Sequence, residues 1–204
     1  QDVGKKSEGD FHSQVIPMSL LVSGDNVVAV ELHQSSAKSD DLAFDLKLES
    51  KAGTSLVSSG ASWHWSTDAD DGWDGLAFDP SEWASGPAPL GFGEDQVVTE
   101  TTSGVVTTYL RHEFDVHEPS SYDILLLKLR RDDGARVMLN GTEILRSNLP
   151  EGELSPETLA HTEVEDVWEE IAQSSHVDPS LLVSGQNVIT VELHQSTEKN
   201  EDLI

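Results

Sequence analysis

Apolar and polar residues alternate with a period of two along most of this chain, the pattern of strands that bury one face. From Thr107 to Val116, the residues Thr108, Leu110, His112, Phe114 and Val116 share a face. Tyr109, Arg111, Glu113 and Asp115 share the other. Asp123 to Arg130 sets Leu125, Leu127 and Leu129 together, opposite Ile124, Leu126, Lys128 and Arg130. Ala135, Val137 and Leu139 share a face in the following segment. Asn187 to His194 turns Ile189, Val191 and Leu193 inward and Thr190, Glu192 and His194 outward. Leu42, Phe44, Leu46 and Leu48 make another one-sided strand. Asp132-Asp133-Gly134 and Asn140-Gly141 are turn signals, and Asn-Gly is the strongest short hairpin signal. No long helical period occurs, and Ser155 to His161 has room for one short helical turn. Many short strands joined by Gly, Pro, Asn and Asp turns predict an all-β fold, an antiparallel β-sandwich.

One stretch occurs twice. Ser19 to Ser35 returns as Ser180 to Ser196, an offset of 161 residues, and 17 of the 24 positions from Ser19 to Leu42 match their partners. A period of 161 residues is a whole domain rather than a solenoid unit. Residues 1–43 correspond to 162–204, so the second copy stops one strand before the first does. Residues 1–51 therefore read as the C-terminal strands of one module, and 52–204 as the next module without its last strand. Lys51-Ala52-Gly53-Thr54-Ser55, rich in small residues, reads as the linker. The missing strand is the equivalent of Phe44, Leu46 and Leu48. An open slot of that kind invites a donated strand. The expectation is that Phe44–Glu49 of a neighbouring copy, or residues beyond 204, lies beside Val188–Leu193. Either route gives an elongated, end-to-end assembly.

Composition narrows the partners. Acidic residues number 38 against 12 basic ones, a formal net charge of −26. Such a surface repels phosphate backbones and anionic lipids, which argues against nucleic acid and membrane surfaces. Divalent cations or a salty medium suit it better. The absence of cysteine removes disulfides, thiol catalysis and zinc-thiolate sites. No apolar run reaches the length of a membrane span. Gln1 in first position reads as a processed chain or a fragment.

Several strings carry a family likeness. Trp83-Ala84-Ser85-Gly86-Pro87-Ala88-Pro89-Leu90-Gly91-Phe92-Gly93 resembles the opening of a jelly-roll module with a galactose-binding-domain-like fold. Thr107 to Phe114 and Leu129 to Glu143 resemble its middle, and Leu193-His194-Gln195-Ser196 with Asp202-Leu203 its end. Modules of this kind occur in large secreted bacterial proteins, beside lamin-tail, spore-coat-kinase-like and metallophosphoesterase domains. The resemblance covers about residues 61–204, and again 15–50. It implies an extracellular or cell-surface accessory module with no assigned ligand, and fold alone does not give function.

Each candidate site has a second reading. Asp68, Asp70, Asp71 and Asp74 surround Gly72 and can converge on calcium, or form a solvated acidic turn. The EF-hand pattern is not met, because position 79 is Asp where Glu is required. Trp63, Trp65, Trp73 and Trp83 can stack on sugar rings, or pack into the sandwich; the resemblance makes Trp83 structural. Arg130, Arg131, Asp132 and Asp133 read first as a network that fixes a hairpin, second as a ligand corner. His33 and His194 hold the same place in both copies and read as hydrogen-bonded rim residues rather than metal ligands. Asn140-Gly141-Thr142 fits the glycosylation sequon but lies on a predicted tight hairpin. No nucleophile elbow, zinc-protease helix or phosphate loop appears, and the chain is expected not to be an enzyme. Two functional classes follow. The first is a structural or adhesive module of an extracellular fibre, stalk or surface array, with like copies as partners. The second is a carbohydrate-binding accessory module with glycans as partners.

Overall fold

The computed structural model describes residues 16–17, 22–28, 31–32, 46–50, 55–122, 124–162 and 173–196. Phe44, His33, Asp202, Leu203 and residues 51–54 of the expected linker lie outside them.

The alternating segments become strands. In chain order these are β1 (Ile16–Pro17), β2 (Val22–Val28), β3 (Glu31–Leu32), β4 (Leu46–Ser50), β5 (Ser55–Val57), β6 (Ser62–Ser66), β7 (Ala84–Pro87) and β8 (Leu90–Gly91). They continue with β9 (Thr99–Glu100), β10 (Thr107–Val116), β11 (Ile124–Leu129), β12 (Gly134–Leu139), β13 (Thr142–Ser147), β14 (Gln173–Val177) and β15 (Val183–His194). Among the described residues the only helical pieces are three-residue 3-10 turns at Pro80–Glu82, Pro119–Ser121 and Pro179–Leu181. The helical turn expected near Ser155 is a plain turn, closed by Thr158 N–H donating to Ser155 O at 2.9 Å. Among the described residues no helix is long and apolar enough to cross a membrane.

The fold is an antiparallel β-sandwich. One layer is built on β10 and β15, paired from Thr107↔His194 to Val116↔Gly185, with β12 and β13 continuing beyond β15. The other layer is built on β11 and β14, paired from Leu125↔Val177 to Leu129↔Gln173. The β4–β5 pair, Leu48↔Val57, lies beside β11 in this second layer. Between the layers sit the inward residues that the alternation picks out. Leu125, Leu127, Leu129, Leu110, Val137 and Val191 are all fully buried, and each leucine contributes about 1.5–3 kcal/mol by leaving water.

Asn140 and Gly141 take φ of 50° and 76°, the left-handed pair that a two-residue hairpin turn requires. The Asn140 side chain also ties the turn to β15. Its Oδ1 accepts from Val188 N–H at 2.6 Å, while its Nδ2 donates to Leu181 O at 2.9 Å and Asn187 Oδ1 at 2.7 Å.

The duplicated segment β2 repeats the pairing of β15. Both strands address β10 in one register: His112 faces Val28 and Ile189, and Phe114 faces Asn26 and Asn187. Leu125 of β11 likewise faces both Ile16 and Val177.

Candidate functional site

The outward face of the β12–β15–β10 layer holds a cluster of buried polar side chains. Alternation sends Thr107, Tyr109, Arg111 and Glu113 of β10 to this face, opposite His194, Glu192, Thr190 and Val188 of β15. The sequence predicts a solvated face there. Instead, Arg111, Thr190 and His194 are fully buried and Glu192 is 5% exposed. Two loops fold over it, one at residues 68–78 and one at 150–162, and the polar residues bond to those loops.

Arg111 organises the first loop. Its Nη1 donates to Trp73 O at 2.7 Å and Gly75 O at 3.0 Å, and its Nη2 to Phe78 O at 3.4 Å and Glu113 Oε1 at 2.9 Å. The guanidinium carbon also stands 5.5 Å from the Phe78 ring centroid, a cation–π contact. Burial lowers the Arg111 pKa from its usual value, and the hydrogen bond to Glu113 opposes the shift.

Among the described residues no group of three or more His, Asp or Glu side chains converges as a metal site. In this geometry Asp68, Asp70, Asp71 and Asp74 are not brought together as one cluster. The physical reason is that the loop wraps a cation already in the chain. Its carbonyls point at the Arg111 guanidinium, while Gly72, at φ 80°, turns the chain back so that Gly75 N–H reaches Gly72 O at 2.9 Å.

The tryptophans are likewise spent on packing. Trp63 is 1% exposed and Trp73 8%, so neither presents a ring face to a sugar. Trp65 and Trp83 are partly buried against the core. Trp73 stacks on Trp83 with centroids 6.1 Å apart and meets Tyr109 edge-on at 5.0 Å. The signal for β6 lay in its alternation: Ser62-Trp63-His64-Trp65-Ser66 places both tryptophans on one face, as a buried strand does.

The second loop closes over His194. His194 Nδ1 lies 2.6 Å from Thr158 O and 2.9 Å from Thr107 Oγ1. A carbonyl only accepts, so Nδ1 carries the ring hydrogen. Nε2 lies 3.3 Å from Glu192 Oε2, and a proton held by either the carboxyl or the ring makes that contact a hydrogen bond. Burial raises the Glu192 pKa from 4.5 to about 7, against the pull of Arg136, and burial holds His194 well below the usual imidazole value. Arg136 donates from Nη2 to the other carboxyl oxygen, Glu192 Oε1. Burial, reinforced by the charge of Glu192, raises the Tyr109 pKa as well. Beside Arg136 on the neighbouring strand stands Arg146, which donates to both Glu143 oxygens at 2.9 and 2.6 Å and to Pro150 O at 2.6 Å. Arg136, Arg146 and Glu143 keep 18%, 15% and 39% of their side chains in solvent. They form the polar rim of an otherwise closed face.

Arg131, Asp132 and Asp133 are buried in the turn before β12. Arg131 Nη1 donates to the carbonyls of Asp132 at 2.7 Å and Asp133 at 3.1 Å, and its Nη2 to Ser147 Oγ at 2.9 Å. Asp133 Oδ2 accepts from Ser196 N–H at 3.0 Å. These bonds fix the turn and hold the end of β15.

The Leu46 and Leu48 positions of the expected assembly strand pair within this chain. Leu46 and Leu48 lie in β4, paired with β5 of the same chain and next to β11. Val188–Leu193 lies between β10 and β12 in the opposite layer. The reason is proximity: only residues 51–54 separate β4 from β5, and short loops close at low entropic cost.

No family model and no curated protein matches the chain. A calcium-binding mutant of Bacteroides uniformis beta-glucuronidase 2 is similar in structure over 75% of this chain, at 14% identity and a TM-score of 0.38. The match spans only 15% of that protein's chain, and a likeness this low carries no argument about ligand or activity.

Proposed function

We propose that this chain is a non-catalytic architectural module, one of a row of like copies in an extracellular or cell-surface protein. The observation that carries the reading is the sequence repeat: Ser19–Ser35 returns as Ser180–Ser196, an offset of 161 residues, as expected of successive copies of one unit. The internal use of the chain's functional-looking groups supports it. Arg111, Arg131, Asp133, Asn140 and the Trp63 and Trp73 rings are all engaged in holding turns and loops to the sandwich. The net charge of −26 keeps such modules apart in solution except at designed contacts.

A second reading is a carbohydrate-binding accessory module. It is favoured by the solvent-reaching rim of Arg136, Arg146 and Glu143 above the buried floor of Glu192. A glycan microarray of the chain separates the two. The architectural reading expects no specific glycan bound at micromolar strength. Micromolar binding that disappears in the R136A and R146A variants would establish the second reading in its place.

A further inference from the structure

The loop at residues 150–162 is a strap, tied at both ends and at its tip. At one end Arg146 Nη1 donates to Pro150 O at 2.6 Å. At the other, Ala160 N–H donates to Gln195 O at 3.0 Å and His161 N–H to Asn148 O at 3.0 Å. Two side chains clasp the tip from below. Thr107 Oγ1 donates to Pro156 O at 2.7 Å, and His194 Nδ1 donates to Thr158 O at 2.6 Å. Packing adds little, because between Glu151 and Leu159 only Leu154 and Thr158 are even half-buried. A segment with so few buried contacts opens at low cost once its hydrogen bonds go.

The clasp fixes where the hydrogens sit. The Thr107 hydroxyl has one hydrogen, and Pro156 O takes it. Its oxygen therefore accepts from His194 Nδ1, 2.9 Å away, as Thr158 O does. Both contacts require a hydrogen on Nδ1. Nε2 then meets Glu192 Oε2 at 3.3 Å. With one proton between them the contact is a hydrogen bond. With none, a lone pair faces a buried carboxylate oxygen. The ring relieves that clash by moving its hydrogen to Nε2. Nδ1 then turns a lone pair toward Thr158 O, and Thr107 cannot serve both Nδ1 and Pro156 O.

The surroundings set when that proton leaves. Burial is the largest influence on Glu192 and disfavours its charge. Arg136 of β12 and Arg146 of β13 favour the charge, while Asp74 of the first loop opposes it. Tyr109 of β10 stays neutral, held so by burial and by Glu192, with Asp68 and the strap's own Glu157 adding to the effect. Gly134 of β12 stands beside His194 and brings no charge. The balance puts the Glu192 carboxyl at about 7, so the proton is present at mildly acidic pH and is lost as pH rises through neutrality.

We infer that the strap is a proton-operated latch: it lies closed while Glu192 and His194 share a proton, and when that proton leaves, the tip between Glu151 and Leu159 lifts and uncovers Thr107 and His194. The latch belongs to a single module and works whether or not copies follow one another.

Hydrogen exchange of the full chain, read by mass spectrometry at pH 6 and pH 8.5 and corrected for the intrinsic pH dependence of exchange, tests it. The expected result is that protection of Ser155–His161 falls several-fold more than protection of β11, which the latch does not touch. In E192Q the side-chain amide donates to Nε2 at every pH, so the difference is expected to vanish, whereas E157Q keeps it. Long-range proton–nitrogen NMR of the unmodified chain reads the ring itself: Nδ1 carries the hydrogen at pH 6 and has given it up at pH 8.5. Protection that falls equally in the strap and in β11, full pH dependence in a folded E192Q, or a hydrogen that stays on Nδ1 at both pH values would each overturn the inference.

Discussion

The Arg111 guanidinium donates to the Trp73 carbonyl at 2.7 Å, so the acidic loop at residues 68–78 closes on a cation supplied by the middle of β10. Asp68, Asp70 and Asp71 are exposed, Asp74 is half-buried with its charge acting on Arg111, and the loop's carbonyls face Arg111. An R111M variant leaves the Trp73 and Gly75 carbonyls without their donor, and each buried group left unpaired costs about 1–3 kcal/mol. We expect a loss of about 3 kcal/mol in urea unfolding. R111K recovers only part, because an ammonium lacks the planar fork that spans several carbonyls. Adding calcium leaves the melting temperature of either protein unchanged at matched ionic strength; a calcium-dependent rise would return the loop to the metal-site reading.

Glu192 gives the chain a pH dependence with a definite sign. Its folded pKa is about 7 against an ordinary 4.5, so the folded state holds the proton more tightly between these values. Stability from this group is fully present below about pH 4.5 and is lost as pH rises through 7. His194 works in the opposite direction, because its folded pKa is depressed and its contribution is lost as pH falls below 6.5. E192Q keeps a donor toward His194 Nε2 without titrating. Thermal melts from pH 5 to 8 should show E192Q gaining on the unmodified chain as pH rises. A constant difference across that range would show that Glu192 titrates normally.

Asn140 supports both a left-handed turn and three hydrogen bonds to the β15 region. N140G relieves the turn but loses the bonds; N140A loses both. We expect N140A to cost about 2–3 kcal/mol and N140G somewhat less, read from urea midpoints. Equal midpoints for N140G and the unmodified chain would mean that the side-chain bonds contribute nothing.

Removing residues 1–51 strips β4 from β5 and from the flank of β11. The exposed edge and lost pairing should lower stability by at least about 2 kcal/mol. Coincident urea transitions for the full and shortened chains would show that β4 is dispensable.

Much of the sandwich was legible because period two reports burial directly. Leu125, Leu127 and Leu129 alternate with half-buried neighbours, and Asn140-Gly141 announces its turn. The outward face of β10 and β15 was not legible. Thr190 and Glu192 read as outward and His194 as a hydrogen-bonded rim residue, because alternation reveals which residues share a face, not whether a loop later covers it. Arg111 was missed for the same reason: its partners are carbonyls, which no side-chain pattern records. The acidic loop misled in the other direction, since carboxylate spacing says nothing about where the backbone points its oxygens.

The row-of-modules account is tested most directly by electron microscopy of the native full-length protein. It predicts extended particles in which globular beads recur at a uniform spacing, one bead for each 161-residue repeat in the gene. A compact particle, or beads whose number does not follow the repeat count, would contradict it.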